Sequence, residues 1–251
     1  MRLGALLGPT LGAGSGEIAD QASMLADEGF ESLWGVQVIG RGFMAPDPLI
    51  ALAVAATVTT GVELGTAILQ LPLYHPTDLA HRVFSLQQIA GSRLLLGLGA
   101  GSTVQDFDAF ELDFEARFKT FNESLVELSV ALETGANATA ELSPWPCVVG
   151  GPPLMYGTWG KGVERAAKEF SGWIASAHYR TPDEIESALK RYRAAGGQRA
   201  IVSTIQLPAS RSLGEVDELL QRFEAMGFDD AVVMFLPGGV SPKEVRALVA
   251  T

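Results

Sequence analysis

The sequence predicts an α/β fold of the (β/α)8 barrel type, a single domain over residues 1–251. Three features predict it. Eight apolar runs of four to eight residues recur along the chain, helix start and stop signals lie between them, and no linker, charge run or low-complexity stretch divides the sequence. The runs are hydrophobic without strict alternation, as strands of a parallel sheet covered on both faces must be. An open doubly wound sheet is the competing arrangement, but it holds fewer strands and reverses its strand order midway.

The elements follow in order. RLGALL opens the first strand; Gly4, Gly8 and Pro9 interrupt the apolar start, so it reads as strand and loop rather than a signal peptide. Gly29 ends the first helix and ESLWGV is the second strand. Asp47-Pro48 opens a helix over 47–60 that is apolar nearly all round, and VELGTAIL is the third strand. His75-Pro76 starts the next helix, with His75 as its cap, and Gly91 closes it before RLLLGLG, the fourth strand. Phe114, Phe118, Phe121, Leu125, Leu128 and Leu132 then repeat at spacings of three and four, one stripe facing the sheet, and Gly135 ends that helix. After a loop at 137–144, PCVVGG is read as the fifth strand and GWIAS as the sixth. Thr181-x-x-Glu184, Ser212-x-x-Glu215 and Ser241-x-x-Glu244 have capping-box spacing; the first two boxed helices end at Gly196 and Gly227. The seventh and eighth strands are RAIVSTIQ and DAVVMFL.

Composition narrows the function classes. Hydrophobic residues make up 47% of the chain, enough for a sizeable core, yet no run reaches the ~20 residues that span a bilayer. A net charge of −11 opposes binding to a phosphate backbone, so no nucleic-acid partner is expected. His75, His81 and His178 are too scattered for a zinc motif, and the lone Cys147 excludes an internal disulfide, which fits a cytoplasmic location.

The run RLLLGLGAGS poses one choice. It has the look of a dinucleotide loop, but it follows the fourth strand, its third glycine position is Ser102, and no acidic residue ends a following strand. It reads instead as a strand end at a barrel mouth, where Gly97, Gly99 and Gly101 let a flat group approach.

Several segments together resemble the luciferase-like flavin monooxygenase superfamily, including its deazaflavin (F420) dependent oxidoreductases. They are GFESLW (29–34), PDPLIALAVAA (46–56), VELGTAILQLPLYHP (62–76), LQQIAGSRLLLGLGAG (86–101), VVGGPP (148–153) and GWIASAHYRTPDE (172–184). The resemblance implies a barrel whose mouth holds the ring of F420 or FMN and a small-molecule substrate. It implies a cis peptide at Ala67-Ile68 behind the ring, with Leu69 beside it, and Gly99, Ala100 and Gly101 alongside. It further implies that Gly150 and Gly151, ending strand five, and the turn with Gly157 and Thr158, which Lys161 could assist, hold the cofactor phosphate through backbone N–H groups. Ala100 stands where some flavin-binding relatives carry an arginine.

The loop after strand two offers Gln37 where relatives carry an acid or histidine, so Gln37 and His178 are the candidate catalytic contacts. The function implied is hydride transfer between a deazaflavin and a small organic substrate. The alternatives are an FMN-dependent monooxygenase and a flavin-binding barrel without turnover; a barrel hydrolase or isomerase would need paired carboxylates or a metal at the strand ends. The apolar helix 47–60 points to a homodimer through the early helices.

Overall fold

The computed structural model of the protein describes residues 1–8 and 17–249, so the loop expected after the first strand lies largely outside the described residues. Nine strands run parallel: β1 (Arg2–Leu6), β2 (Ser32–Gly35), β3 (Glu63–Thr66), β4 (Leu69–Gln70), β5 (Leu94–Gly99), β6 (Leu154–Gly157), β7 (Gly172–Ser176), β8 (Ala200–Leu207) and β9 (Asp230–Phe235). Their order is β3-β2-β1-β9-β8-β7-β6-β5-β4, and pairing of β3 with β5 closes the ring. β3 and β4 both pair with β5, so they make one stave in two pieces and the barrel has eight.

Nine α-helices are described: α1 (Glu17–Asp27), α2 (Pro48–Val58), α3 (Pro76–Ala90), α4 (Val104–Asp108), α5 (Arg117–Thr134), α6 (Gly162–Glu169), α7 (Pro182–Ala194), α8 (Leu213–Met226) and α9 (Pro242–Val249). The capping chemistry is as the sequence predicts. Thr181 with Glu184 and Ser212 with Glu215 form reciprocal boxes, Ser241 and Glu244 make the same bonds, and Asp47 and His75 each accept from the first turn of their helices.

Two expectations are corrected. The fifth stave is Leu154–Gly157, not PCVVGG: Pro146–Val148 is a single 3-10 turn, and Pro146 has no N–H to give a sheet ladder. The stripe on α5 is buried at Phe121, Leu125, Leu128 and Leu132, whereas Phe118 is exposed and Phe114 precedes the helix.

Two apolar layers form. Outside the sheet, side chains of the helices and outward strand positions make one continuous core. Inside the barrel, Leu6, Trp34, Ala67, Leu95, Met155, Ile174, Ile201 and Val232 form a plug. Trp34 fits only because its neighbour is small: a Cβ on Gly65 would sit 2.3 Å from the Trp34 ring. The Trp34 indole N–H is satisfied by Ser32 Oγ at 2.8 Å.

Below the plug, at the strand starts, Arg2, Glu63, Arg199 and Asp230 form an ion-pair cluster. Glu63 Oε2 lies 2.6 Å from both Arg2 Nη2 and Arg199 Nη2, and Arg199 Nε lies 2.8 Å from buried Asp230. Burial pushes the Glu63 carboxyl up, but hydrogen bonds from Arg199 and Arg2 outweigh it and hold the group below its usual value. Functional groups of such barrels gather at the opposite end, above the plug.

Candidate functional site at the barrel mouth

Above the plug, the inward positions of the strand ends are Val36, Ile68, Gly99, Gly157, Ser176, Ser203 and Met234, with Val36, Ile68 and Met234 packed on the plug. The Ala67-Ile68 peptide is cis, as the sequence implied. Ile68 turns its side chain over the neighbouring staves. A Cβ on Gly99 would meet Ile68 Cδ1 at 2.8 Å, and one on Gly157 would meet Ile68 Cγ2 at 2.5 Å. These glycines therefore make room first for the chain's own isoleucine. Gly97, deeper in, is pressed on the Thr66 carbonyl and Ile174, and Gly101, at φ +85°, on the Gln70 amide and Phe107.

The other predicted contacts are divided. Ala67 joins the plug, while Leu69 and Ala100 belong to the outer core and face the helices. Gly157 ends β6 and Thr158 follows it, both at the mouth. Gly150 and Gly151 do not. They precede β6, so they stand at the start of that stave, where the Gly150 N–H donates to the Leu132 carbonyl and Gly151 packs on the Leu132 side chain. The sequence reading put them at a strand end because it took PCVVGG as the strand. The turn at the mouth is instead Gly157-Thr158-Trp159-Gly160-Lys161, which leads into α6.

Gln37 is buried and bonded through both its amide oxygen and its amide nitrogen. Its Oε1 accepts from Gln70 N at 2.7 Å and its Nε2 donates to Tyr74 Oη at 2.9 Å, so it braces the loop after β2 against the stave next door. Burial pushes the Tyr74 phenol up, with Asp47 adding to the effect, which keeps its hydroxyl neutral. His178 is exposed after β7 and stands edge-on to Tyr179 at 4.0 Å.

The polar centre of this end is a residue the sequence reading passed over. Asp106 on α4 is fully buried and takes four donors: Ile39 N at 3.2 Å, Arg41 Nε at 2.9 Å, Arg41 Nη2, and Gln70 Nε2 at 2.6 Å. It ties the loops after the second and fourth staves to the end of the third. The Asp106 hydrogen bond raises Arg41 above its usual value, burial opposes this, and Tyr179 adds to the rise, so Arg41 also faces the loop beyond the sixth stave. Gln70 Oε1 is left buried without a partner. No spacing signals this network, because Arg41 and Asp106 are 65 residues apart.

A shallow groove of about 570 Å³ lies elsewhere, outside the barrel between the end of α5 and the loop at 135–149, over Asn137, Pro144 and Val149.

Residues 3–206 match the family model described as luciferase-like monooxygenase. The chain is 28% identical over 192 residues to a 5,10-methylenetetrahydromethanopterin reductase of Methanolobus tindarius, covering 73% of this chain and 56% of that one. It is 31% identical over 125 residues to a 4-hydroxyprotoasukamycin monooxygenase of Streptomyces nodosus subsp. asukaensis, covering 49% and 33%. The chain thus spans about a third to just over half the length of these curated relatives. Among solved structures, it superposes on a coenzyme F420 dependent tetrahydromethanopterin reductase from Methanopyrus kandleri with a TM-score of 0.74 at 16% identity, covering 99% and 96% of the two chains. With a closed eight-stave parallel barrel and a family match over most of its length, the chain belongs to the luciferase-like monooxygenase family.

Proposed function

We propose that the protein is an oxidoreductase that binds F420 or a flavin across the barrel mouth and transfers a hydride to or from a small organic substrate. The observation that carries this reading is the floor of the mouth. Val36, Ile68 and Met234 give an apolar surface flanked by the side-chain-free strand ends Gly99 and Gly157, and the one carboxylate buried above the plug among the described residues, Asp106, already takes four donors. Such a surface suits a planar ring, and hydride transfer needs placement more than proton traffic. The reductase and monooxygenase relatives support the same class of chemistry.

The residues present fit such a group. Gly160, at φ +61° with open space around it, and Thr158 precede the N-terminus of α6, whose dipole favours a phosphate, and exposed Lys161 adds a cation. Ile68 would back the ring. When bound, a deazaflavin supplies two-electron hydride chemistry, and a flavin could also support monooxygenation. The chain's own contribution is to orient the ring on Ile68, to exclude water with the plug, and to fix the loop after β2 through Asp106. Gln37 acts in this reading as a brace, and His178 as an exposed lining group.

A second copy is expected to pack on the early helices, where Ile50 and Val58 of α2 and Met24 of α1 leave apolar side chains exposed. The primary test is titration of the purified protein with F420 and with FMN, followed by absorbance and fluorescence. Saturable binding of one of them supports the reading; binding of neither refutes it.

A further inference from the structure

The wall of the mouth opposite Ile68 is polar for a specific structural reason. Along β8, Ile201 points into the plug and Val202 points out, so Ser203 points in by strand alternation. The next residue should point out, but the register slips: Val202 pairs with Ala231 and Ile205 with Val233, so two residues of β8 face one of β9. This is a β-bulge, and its inserted residue is Thr204, at φ +58°. A β-branched residue in that region is an outlier, of the kind that persists where the surroundings enforce it. The bulge brings two consecutive hydroxyls together, Ser203 Oγ and Thr204 Oγ1, 3.4 Å apart. Ser203 is directly paired with Ser176 on β7, which follows inward Ile174 by two residues and so points the same way.

These three hydroxyls have hydrogens left over. A hydroxyl donates one hydrogen and accepts two. Ser176 Oγ accepts from the His178 N–H at 3.3 Å, which uses none of its own hydrogen. Between Ser203 and Thr204 only one hydroxyl can donate to the other, so one hydrogen of that pair is also uncommitted. Ser203 is 1% exposed whereas Thr204 and Ser176 are partly exposed, so with buried Ser203 donating to Thr204 the hydrogen left to a ligand is that of Thr204. Ser176 and Thr204, on adjacent staves, therefore each have a hydroxyl hydrogen to offer, with Ser203 fixing Thr204 from behind, and a carbonyl oxygen has two lone pairs to receive them.

We propose that Ser176, Ser203 and Thr204 form a subsite for a neutral carbonyl oxygen. The inference rests on the reading of the mouth as the ligand site and adds the chemistry its far wall recognises. The carbonyl belongs either to the pyrimidinedione edge of the flavin or deazaflavin ring, or to a ketone or aldehyde substrate.

Three proteins are compared with wild type: Ser176→Ala, Ser203→Ala and Thr204→Gly. Glycine adopts positive φ freely, so Thr204→Gly removes a hydroxyl while suiting the backbone, and its melting temperature guards against a folding artefact. Lumiflavin, which has the ring without the phosphate, is titrated by fluorescence quenching. Cyclohexanone is titrated by ligand-observed NMR, on the apoprotein and on the protein saturated with FMN or F420. Losing one such hydrogen bond corresponds to a fall in affinity of about three- to tenfold. A fall of that size for lumiflavin supports the subsite with the ring as its ligand. Unchanged lumiflavin affinity with the same fall for cyclohexanone supports it with the substrate as its ligand. Unchanged affinity for both probes in all three variants, or binding of neither probe to wild type, overturns it. If wild type binds no FMN or F420, the function proposed above fails, and the apoprotein cyclohexanone titration still decides the subsite.

Discussion

Replacing Asp106 by Asn tests whether its network holds the mouth together. The variant keeps the shape but exchanges one carboxylate oxygen for an NH2 group. If the remaining oxygen serves Ile39 N and Arg41 Nε, the new NH2 faces Arg41 Nη2 and Gln70 Nε2, both donors. Gln70 has a remedy. Its Oε1 is buried and unpartnered, so a half-turn of the amide lets that oxygen accept from the new NH2. The turn exchanges an orphaned acceptor for an orphaned donor, and Arg41 loses its charged partner while its side chain is 24% exposed to water. A hydrogen bond to a charged group is worth about 1.5–3 kcal/mol, and partial access to water puts the total near 2–3 kcal/mol. Asp106→Ala removes all four bonds with no remedy and should cost about 4–6 kcal/mol. At about 2–4 °C per kcal/mol for a chain of this size, Asn should lower Tm by roughly 4–12 °C and Ala by roughly 8–24 °C. Calorimetry or thermal circular dichroism measures both. Equal losses for the two variants would refute the role given to Gln70; losses below about 1 kcal/mol for both would refute the network as a structural tie.

At the other end, Glu63→Gln should destabilise by about 1–3 kcal/mol at pH 7, since it leaves Arg2 and Arg199 without their shared carboxylate. Because the folded pKa of Glu63 lies below its ordinary 4.5, its contribution is complete above that value and disappears as pH falls through the lower folded one; the gap between variant and wild type in urea melts should therefore close under acid, and a gap independent of pH would contradict the shift. His178→Ala should change turnover less than tenfold, because the ring is exposed; a loss beyond 100-fold with cofactor affinity unchanged would make it a proton donor. Light scattering should give twice the 26.6 kDa chain mass at micromolar concentration, and Ile50→Glu should reduce it; a wild-type mass near 26.6 kDa removes the dimer.

The barrel was legible because its signals are local. Prolines at Pro48, Pro76 and Pro182, boxes at Thr181 and Ser212, and positive-φ glycines at Gly29, Gly91, Gly135, Gly196 and Gly227 each act within a few residues of themselves. The fifth stave was misread because Val148-Val149 is apolar and LMYG follows two prolines, a context that reads as loop. The cis peptide at Ala67-Ile68 and the place of Gly157 at the mouth were legible from the chain's resemblance, and the contacts that depend on meetings between distant residues were not. Asp106 with Arg41, Gln37 with Tyr74, and the bulge that turns Thr204 inward are consequences of closure, since which stave neighbours which decides the partners.

The packing of Ile68 over Gly99 and Gly157 ties three positions into one unit of shape. Each of these glycines looks like an independent concession to a ligand, yet a methyl group at 157 collides with Ile68 before it reaches anything else. The residues should therefore covary in energy. Gly157→Ala alone overpacks the mouth, Ile68→Ala alone hollows it, and the double variant recovers part of both losses, as neighbours sharing a cavity do. An effort to recut this mouth for another ring or substrate would have to change all three staves together, with the size of the side chain at 68 setting what its two neighbours are free to become.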